Sequence, residues 1–255
     1  MTDESPWLRR FHPVAGTDQV VVFFPHAGGS ASFFHPHTVD LAPYVDTLTI
    51  QYPGRQERYR ESLVADIGEL AELIYAEVAP AGSEQRLVFF GHSMGAALAF
   101  EVALRMEERL GRGPERLFLS GRRAPSSERR PETVHLMGDD GLIAEMLNNG
   151  VTDRRLLTDP DTLRMILPVV RNDYRAIETY RPDPAARVAC PVTALVGEGD
   201  PKCTVEEAAA WAEHTSGDFD LEVFAEGAHF FLVPHRQDVT GVVRERLARV
   251  PAEMR

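Results

Sequence analysis

Leu87-Val88-Phe89-Phe90-Gly91-His92-Ser93-Met94-Gly95 runs without a break into Ala96-Ala97-Leu98-Ala99-Phe100-Glu101. The apolar run suits a strand buried on both faces, and the alanine-rich continuation suits a helix. Between them stands Gly-x-Ser-x-Gly, so the segment reads as the strand, sharp turn and helix of a nucleophile elbow. Glycine at 91 and 95 lets the strand and helix backbones approach the strained turn. Ser93 is then raised above the sheet at a helix N-terminus, where the dipole favours developing negative charge. The pentapeptide alone is common, and an ordinary Gly-rich turn is the bland alternative. The flanking strand and helix favour the elbow.

The rest of the chain supplies a sheet for that elbow. Gln19-Val20-Val21-Val22-Phe23-Phe24 reads as a buried parallel strand that stops at the loop Pro25-His26-Ala27-Gly28-Gly29-Ser30. Val45–Tyr52, Arg116–Gly121, Val192–Gly197 and Leu221–Phe224 are further strands. A helix is expected around 66–78, where Ile67, Leu70, Leu73 and Ile74 have helical spacing. Strands alternating with helices imply an α/β domain, a mostly parallel sheet with helices on both faces. One domain over 1–255 is expected.

The alternation breaks between about 122 and 187. A polar linker, Arg122 to Pro131, leads to a helix over Asp140–Leu147 that stops at Asn148-Asn149-Gly150. A second helix begins with Asp159 as N-cap and Pro160 at its first turn, and Pro168 should kink it. Leu163, Ile166, Leu167, Val170, Tyr174 and Ile177 form its apolar stripe. These helices either pack on the body or form a lid lining an acyl pocket. For the second case Met146, Leu163 and Leu167 are the candidate substrate contacts.

Composition excludes several classes. A net charge of -12 argues against nucleic acid, because phosphate binding needs a basic footprint. No apolar run approaches the roughly 18 residues that span a bilayer, and the acidic N-terminus lacks a signal-peptide core. A cytoplasmic location is expected, with no membrane partner. Two cysteines, Cys190 and Cys203, are too few for a disulfide framework and read as structural thiols. Neither GxGxxG nor Gly-Lys-[Ser/Thr] is present, which argues against nucleotide binding. His35-x-His37 on a strand could reach one metal, but no third ligand is evident, so neither metal nor cofactor is expected.

A serine hydroxyl needs a base to take its proton, and the base needs a carboxylate to fix its tautomer. The order Ser, Asp or Glu, then His is met after successive strands. Gly197-Glu198-Gly199-Asp200 offers Asp200 as the acid, with Glu198 the alternative, and Gly227-Ala228-His229-Phe230-Phe231 offers His229 as the base. The remaining need is an oxyanion hole. The backbone N–H of Met94 is one donor, and Ala27 the other, with Gly28 close behind; His26 braces that loop. His12, His35, His37, His135, His214 and His235 read as ordinary surface or packing residues.

Pro25-His26-Ala27-Gly28-Gly29-Ser30, Tyr52-Pro53-Gly54-Arg55, Gly91-His92-Ser93-Met94-Gly95-Ala96, Gly197-Glu198-Gly199-Asp200 and Gly227-Ala228-His229-Phe230-Phe231 stand in order. Together, over roughly 7–246, they resemble the type II thioesterases that accompany polyketide synthases and nonribosomal peptide synthetases. The Gly-His-Ser-Met-Gly element is shared with many lipases and esterases; the Pro-His-Ala-Gly-Gly and Tyr-Pro-Gly-Arg pair is much more specific. The resemblance implies an α/β-hydrolase fold with a helical lid over Ser93. It also implies an editing enzyme that hydrolyses acyl or aminoacyl thioesters on the phosphopantetheine arm of an acyl or peptidyl carrier protein. A monomer is expected. Carrier proteins are usually acidic, as this chain is, so docking would need a local patch, for which Arg122, Arg123, Arg129 and Arg130 are candidates. The alternatives are a thioesterase of fatty-acid synthesis, a general carboxylesterase, and a non-catalytic binding protein on the same fold.

Overall fold

The computed structural model describes residues 5–14, 16–127, 132–149 and 156–248. Among them, β1 (Leu8–Arg9), β2 (Gln19–Phe24), β3 (Asp46–Ile50), β4 (Arg86–His92), β5 (Arg116–Ser120), β6 (Val192–Gly197) and β7 (Phe219–Phe224) form one sheet. The order across it is β1-β3-β2-β4-β5-β6-β7. Every neighbouring pair is parallel except β1 with β3.

The helices are α1 (His35–Leu41), α2 (Ile67–Val78), α3 (Ala81–Glu84), α4 (Met94–Leu110), α5 (Asp139–Asn149), α6 (Pro160–Thr179), α7 (Val205–Ala209) and α8 (Arg236–Ala248). Alternate side chains of β2 explain how they are arranged. Val20, Val22 and Phe24 join one core with Leu70 and Ile74 of α2 and Leu98 and Val102 of α4. Val21 and Phe23 join the opposite core with Leu41 of α1 and Val239 and Val243 of α8. An unbroken apolar strand is therefore required, because both of its faces are covered. Each of those five β2 side chains is at most 1% exposed, and full burial of such a side chain stabilises by about 1.5–3 kcal/mol. The result is a stiff platform beneath the loops at the strand ends.

The expected strands and the helix over 66–78 are present, with Asp66 capping α2 by accepting the Glu69 N–H at 2.8 Å. Asp159 caps α6 in the same way, accepting from Thr162 N at 2.8 Å, and α6 runs unbroken through Pro168. Five elements, β1, α1, α3, α7 and α8, carry too little pattern to be read in advance. β1 has two residues, α1 begins His-Pro-His, α3 and α7 have only four and five residues, and just over half of α8 is polar. The placement of His35 and His37 on a strand is corrected: both lie on α1, where residues two apart point to different sides. His37 is buried and donates Nε2–H to Leu232 O at 3.0 Å, while His35 is exposed.

Between β5 and β6 the chain leaves the sheet to form α5 and α6. Val134, Leu142, Met146, Leu157, Leu167 and Val170 make a third apolar cluster there, with Leu163 packed against it.

Candidate active site

All the loops singled out by motif emerge at the carboxyl ends of parallel strands, where open α/β sheets place their sites. Phe24 of β2 pairs with Gly91 of β4, and Gly197 of β6 pairs with Phe224 of β7. Those registers bring the loops after β2, β4, β6 and β7 to the same edge.

At the end of β4, Ser93 has φ 55° and ψ -115°, a strained conformation for a residue with a side chain. Its neighbours explain why the strain persists. A Cβ at Gly91 would lie 2.2 Å from Gly95 O, and one at Gly95 would lie 1.9 Å from Phe24 O. Only glycine permits that contact. The Ser93 N–H is held by Ser120 O at 2.8 Å.

His229 bridges the other two groups. It donates Nδ1–H to Asp200 Oδ2 at 2.8 Å, leaving Nε2 to accept the Ser93 hydroxyl at 3.1 Å. Asp200 is buried, and its second oxygen accepts Lys202 N–H at 2.7 Å. Glu198, the other acid the sequence offers, is exposed, and its side chain accepts Glu226 N–H at 3.4 Å. The carboxylate that reaches the imidazole is therefore Asp200.

The loop after β2 also separates its two candidate donors. Gly28 N–H is already bonded to Asp173 Oδ2 at 2.8 Å. Ala27 lines the same small cavity as Ser93 and His229, and Met94 is the first residue of α4. His26 is buried against Phe33 and Phe230, with ring centroids 4.4 and 4.7 Å away, so it braces the loop from behind.

The cavity above Ser93 is small, about 50 Å³. Its wall includes Arg122, Arg123, Glu132, Asn149, Tyr174 and Lys202. A larger cavity of about 450 Å³ adjoins it and shares Arg122, Arg123, Glu132 and Ile177. Met146, Leu163 and Leu167 line neither, because they pack on one another in the insertion's own cluster. Arg122 and Arg123 are half-buried and face these cavities instead of forming an outer patch; Arg129 and Arg130 lie outside the described residues. Burial pulls the Arg122 guanidinium down to about 10. The polar wall was missed because its residues are scattered along the sequence and carry no motif.

Burial also fixes the charge of three histidines near or behind the site. It lowers His26 to about 3 and His37 to about 4, and it takes His92 well below the ordinary histidine value. Each stays neutral when folded but takes up a proton from about pH 6.5 downward when unfolded. The stability they contribute is therefore complete above pH 6.5 and is lost as the pH falls toward their folded values. Urea unfolding should show a free energy that drops between pH 6 and 5 by up to about 4 kcal/mol per pH unit, the limit for three protons. A flat profile over that interval would contradict the neutral assignment.

A buried carboxylate, an imidazole and a serine hydroxyl in series on this sheet define an α/β-hydrolase. The particular family follows from comparison with known proteins. The chain belongs to the thioesterase family: the family model "Thioesterase domain" matches residues 19–249. The "Probable cadicidin biosynthesis thioesterase" of Streptomyces griseus is 51% identical over 241 residues, which cover 94% of this chain and 66% of that protein. Thioesterase PikA5 of Streptomyces venezuelae is 44% identical over 245 residues, 96% of this chain and 86% of that one. The solved structure of the type II thioesterase BorB, from the borrelidin biosynthetic cluster, matches with a TM-score of 0.85 and 44% identity. That match covers 97% of this chain and 98% of BorB. The chain thus spans about two thirds of the first relative and nearly all of the last. It is an enzyme of the hydrolase class that acts on thioesters.

Proposed function

We propose that this enzyme hydrolyses short acyl thioesters from the phosphopantetheine arms of carrier proteins in polyketide or nonribosomal peptide synthesis, as a cytoplasmic monomer. The observation that carries the reading is the hydrogen-bonded series Asp200–His229–Ser93. It stands beside a loop whose remaining donor candidate, Ala27, lines the same cavity. The relatives' biosynthetic roles support the carrier-bound substrate.

His229 takes the Ser93 proton as Oγ attacks the thioester carbonyl, and Ala27 and Met94 N–H groups stabilise the oxyanion. The C–S bond breaks as His229 returns the proton to the departing thiolate, leaving acyl-Ser93 and a free thiol. His229 then takes a proton from water, whose oxygen attacks the acyl carbon. Ser93 leaves as the proton passes back to it, and the carboxylic acid is released. The segment holding α5 and α6 serves as the lid.

Ser93 lines only the smaller cavity, and three of the four residues that cavity shares with the larger one, Arg122, Arg123 and Glu132, are charged, which opposes passage of a long alkyl chain between them. About 50 Å³ bordered by Arg122, Lys202 and Asn149 suits a short unit better than a long alkyl chain. Carrier proteins loaded with acyl groups of two to ten carbons, followed by intact-mass spectrometry, test this. Unloading of two- to four-carbon groups should exceed that of eight- and ten-carbon groups by about tenfold or more. Equal rates would reject the size assignment. Faster turnover of matched p-nitrophenyl esters than of acyl-pantetheine would point instead to a general esterase.

A further inference from the structure

We propose that Asp173, on α6 of the β5–β6 insertion, is a positioning residue that aims the Ala27 N–H at the oxyanion. The proposal rests on the reading of Ser93 as the nucleophile given above. Its basis is the way one peptide plane is held by its surroundings. Tyr52 donates its hydroxyl to Pro25 O at 2.9 Å, which fixes the peptide before His26. Asp173 Oδ2 accepts Gly28 N–H at 2.8 Å, which fixes the peptide after Ala27. Between these lies only the His26–Ala27 peptide, and its carbonyl accepts Gly29 N–H at 2.9 Å. Among the described residues no peptide bond is cis, so the Ala27 N–H points opposite that held carbonyl.

Arg55 ties the arrangement together. Its guanidinium binds Asp173 at both oxygens, Nη1 to Oδ2 at 2.9 Å and Nη2 to Oδ1 at 2.9 Å, and Nη1 also donates to Gly29 O at 3.1 Å. Both side chains are buried, so the pair is a firm, charge-assisted fork in a low-dielectric setting. Helix α6 also presses on the loop directly. Gly28 has φ +75°, and a Cβ there would lie 2.8 Å from Val170 Cγ2.

The insertion therefore does more than cover the substrate. Through Asp173 it completes the hole in which the reaction's negative charge develops, so the donor is in place only when α6 is docked. This also accounts for the occurrence together of Pro-His-Ala-Gly-Gly and Tyr-Pro-Gly-Arg. Tyr52 and Arg55 hold the two ends of the first motif, and Asp173 completes their grip. The sequence carried one signal for Asp173: an acid set within an apolar stripe, three residues after Val170 and four before Ile177.

The test compares wild type, Asp173→Asn and Arg55→Lys with acetyl-pantetheine as substrate, each normalised by active-site titration. An alkyl boronic acid, which forms a tetrahedral adduct on serine with an oxygen in the oxyanion hole, reports the hole independently. Asp173→Asn should lower kcat about 10- to 100-fold, part of the loss seen when one oxyanion donor is removed. KM should change by no more than about twofold, and boronate affinity should fall by the same factor as kcat. Should Asp173→Asn fail to fold, Arg55→Lys, which keeps the buried charge, is expected to give the same paired loss. Unchanged kcat in a folded variant, or a change confined to KM, overturns the proposal. Ser93→Ala run alongside separates the two readings. Turnover that survives Ser93→Ala refutes the nucleophile itself, whatever Asp173 does.

Discussion

Ser93→Ala is expected to reduce thioester turnover by about 10⁴- to 10⁶-fold, the range for loss of a nucleophile from a triad that acts as a unit. The expectation is sharp because the substitution removes so little else. Ser93 Oγ meets His229 Nε2 at 3.1 Å, and the bond that holds the turn is made by the backbone to Ser120 O. Alanine has the same Cβ in the same strained conformation, so the elbow and α4 should persist. Melting temperature should stay within a few degrees of wild type, or rise, since strained sites are maintained at a cost in stability. Release of free thiol from an acetyl-loaded carrier protein measures the effect. Residual turnover above about 1% of wild type, after contamination is excluded, would show that Ser93 is not the nucleophile.

How far such a site can be read in advance depends on whether its parts are marked locally. Ser93, Asp200 and His229 each follow a strand and sit among small residues, because the backbone must turn sharply at the sheet edge. That need leaves glycines in the sequence: a Cβ at Gly197 would lie 2.3 Å from Gly227 O, where the two loops meet. Strands β2, β4, β5 and β6 were legible for a related reason, since burial on both faces demands unbroken apolar runs. Helices α1 and α8 cover one face of the sheet with few apolar residues among many polar ones, so periodicity gives little warning of them. The apolar faces of α5 and α6 were legible as faces but not in their destination. Met146, Leu163 and Leu167 bury each other, and no local pattern distinguishes that outcome from lining a pocket. Asp173 and Arg55 stand 118 residues apart, so their relation exists only in three dimensions.

The choice between Asp200 and Glu198 shows what the structure adds, and it carries the other large expected effect. Asp200→Asn should lower kcat by about 10³- to 10⁴-fold, while Glu198→Gln should leave it within about twofold. The carboxylate at 200 accepts the Nδ1–H of His229 and so keeps the lone pair on Nε2, facing Ser93. An amide whose nitrogen faces Nδ1 donates instead, which places the imidazole proton on Nε2 and removes the base where it is needed. The other oxygen at position 200 still accepts Lys202 N–H, so the turn is retained and the loss is one of proton transfer. Glu198 is exposed and touches no part of this series. Both variants should melt near wild type, which makes kcat the informative quantity. A large loss in Glu198→Gln with little in Asp200→Asn would mean that the loop rearranges to present the other acid. Loss in neither would mean that His229 needs no carboxylate partner here.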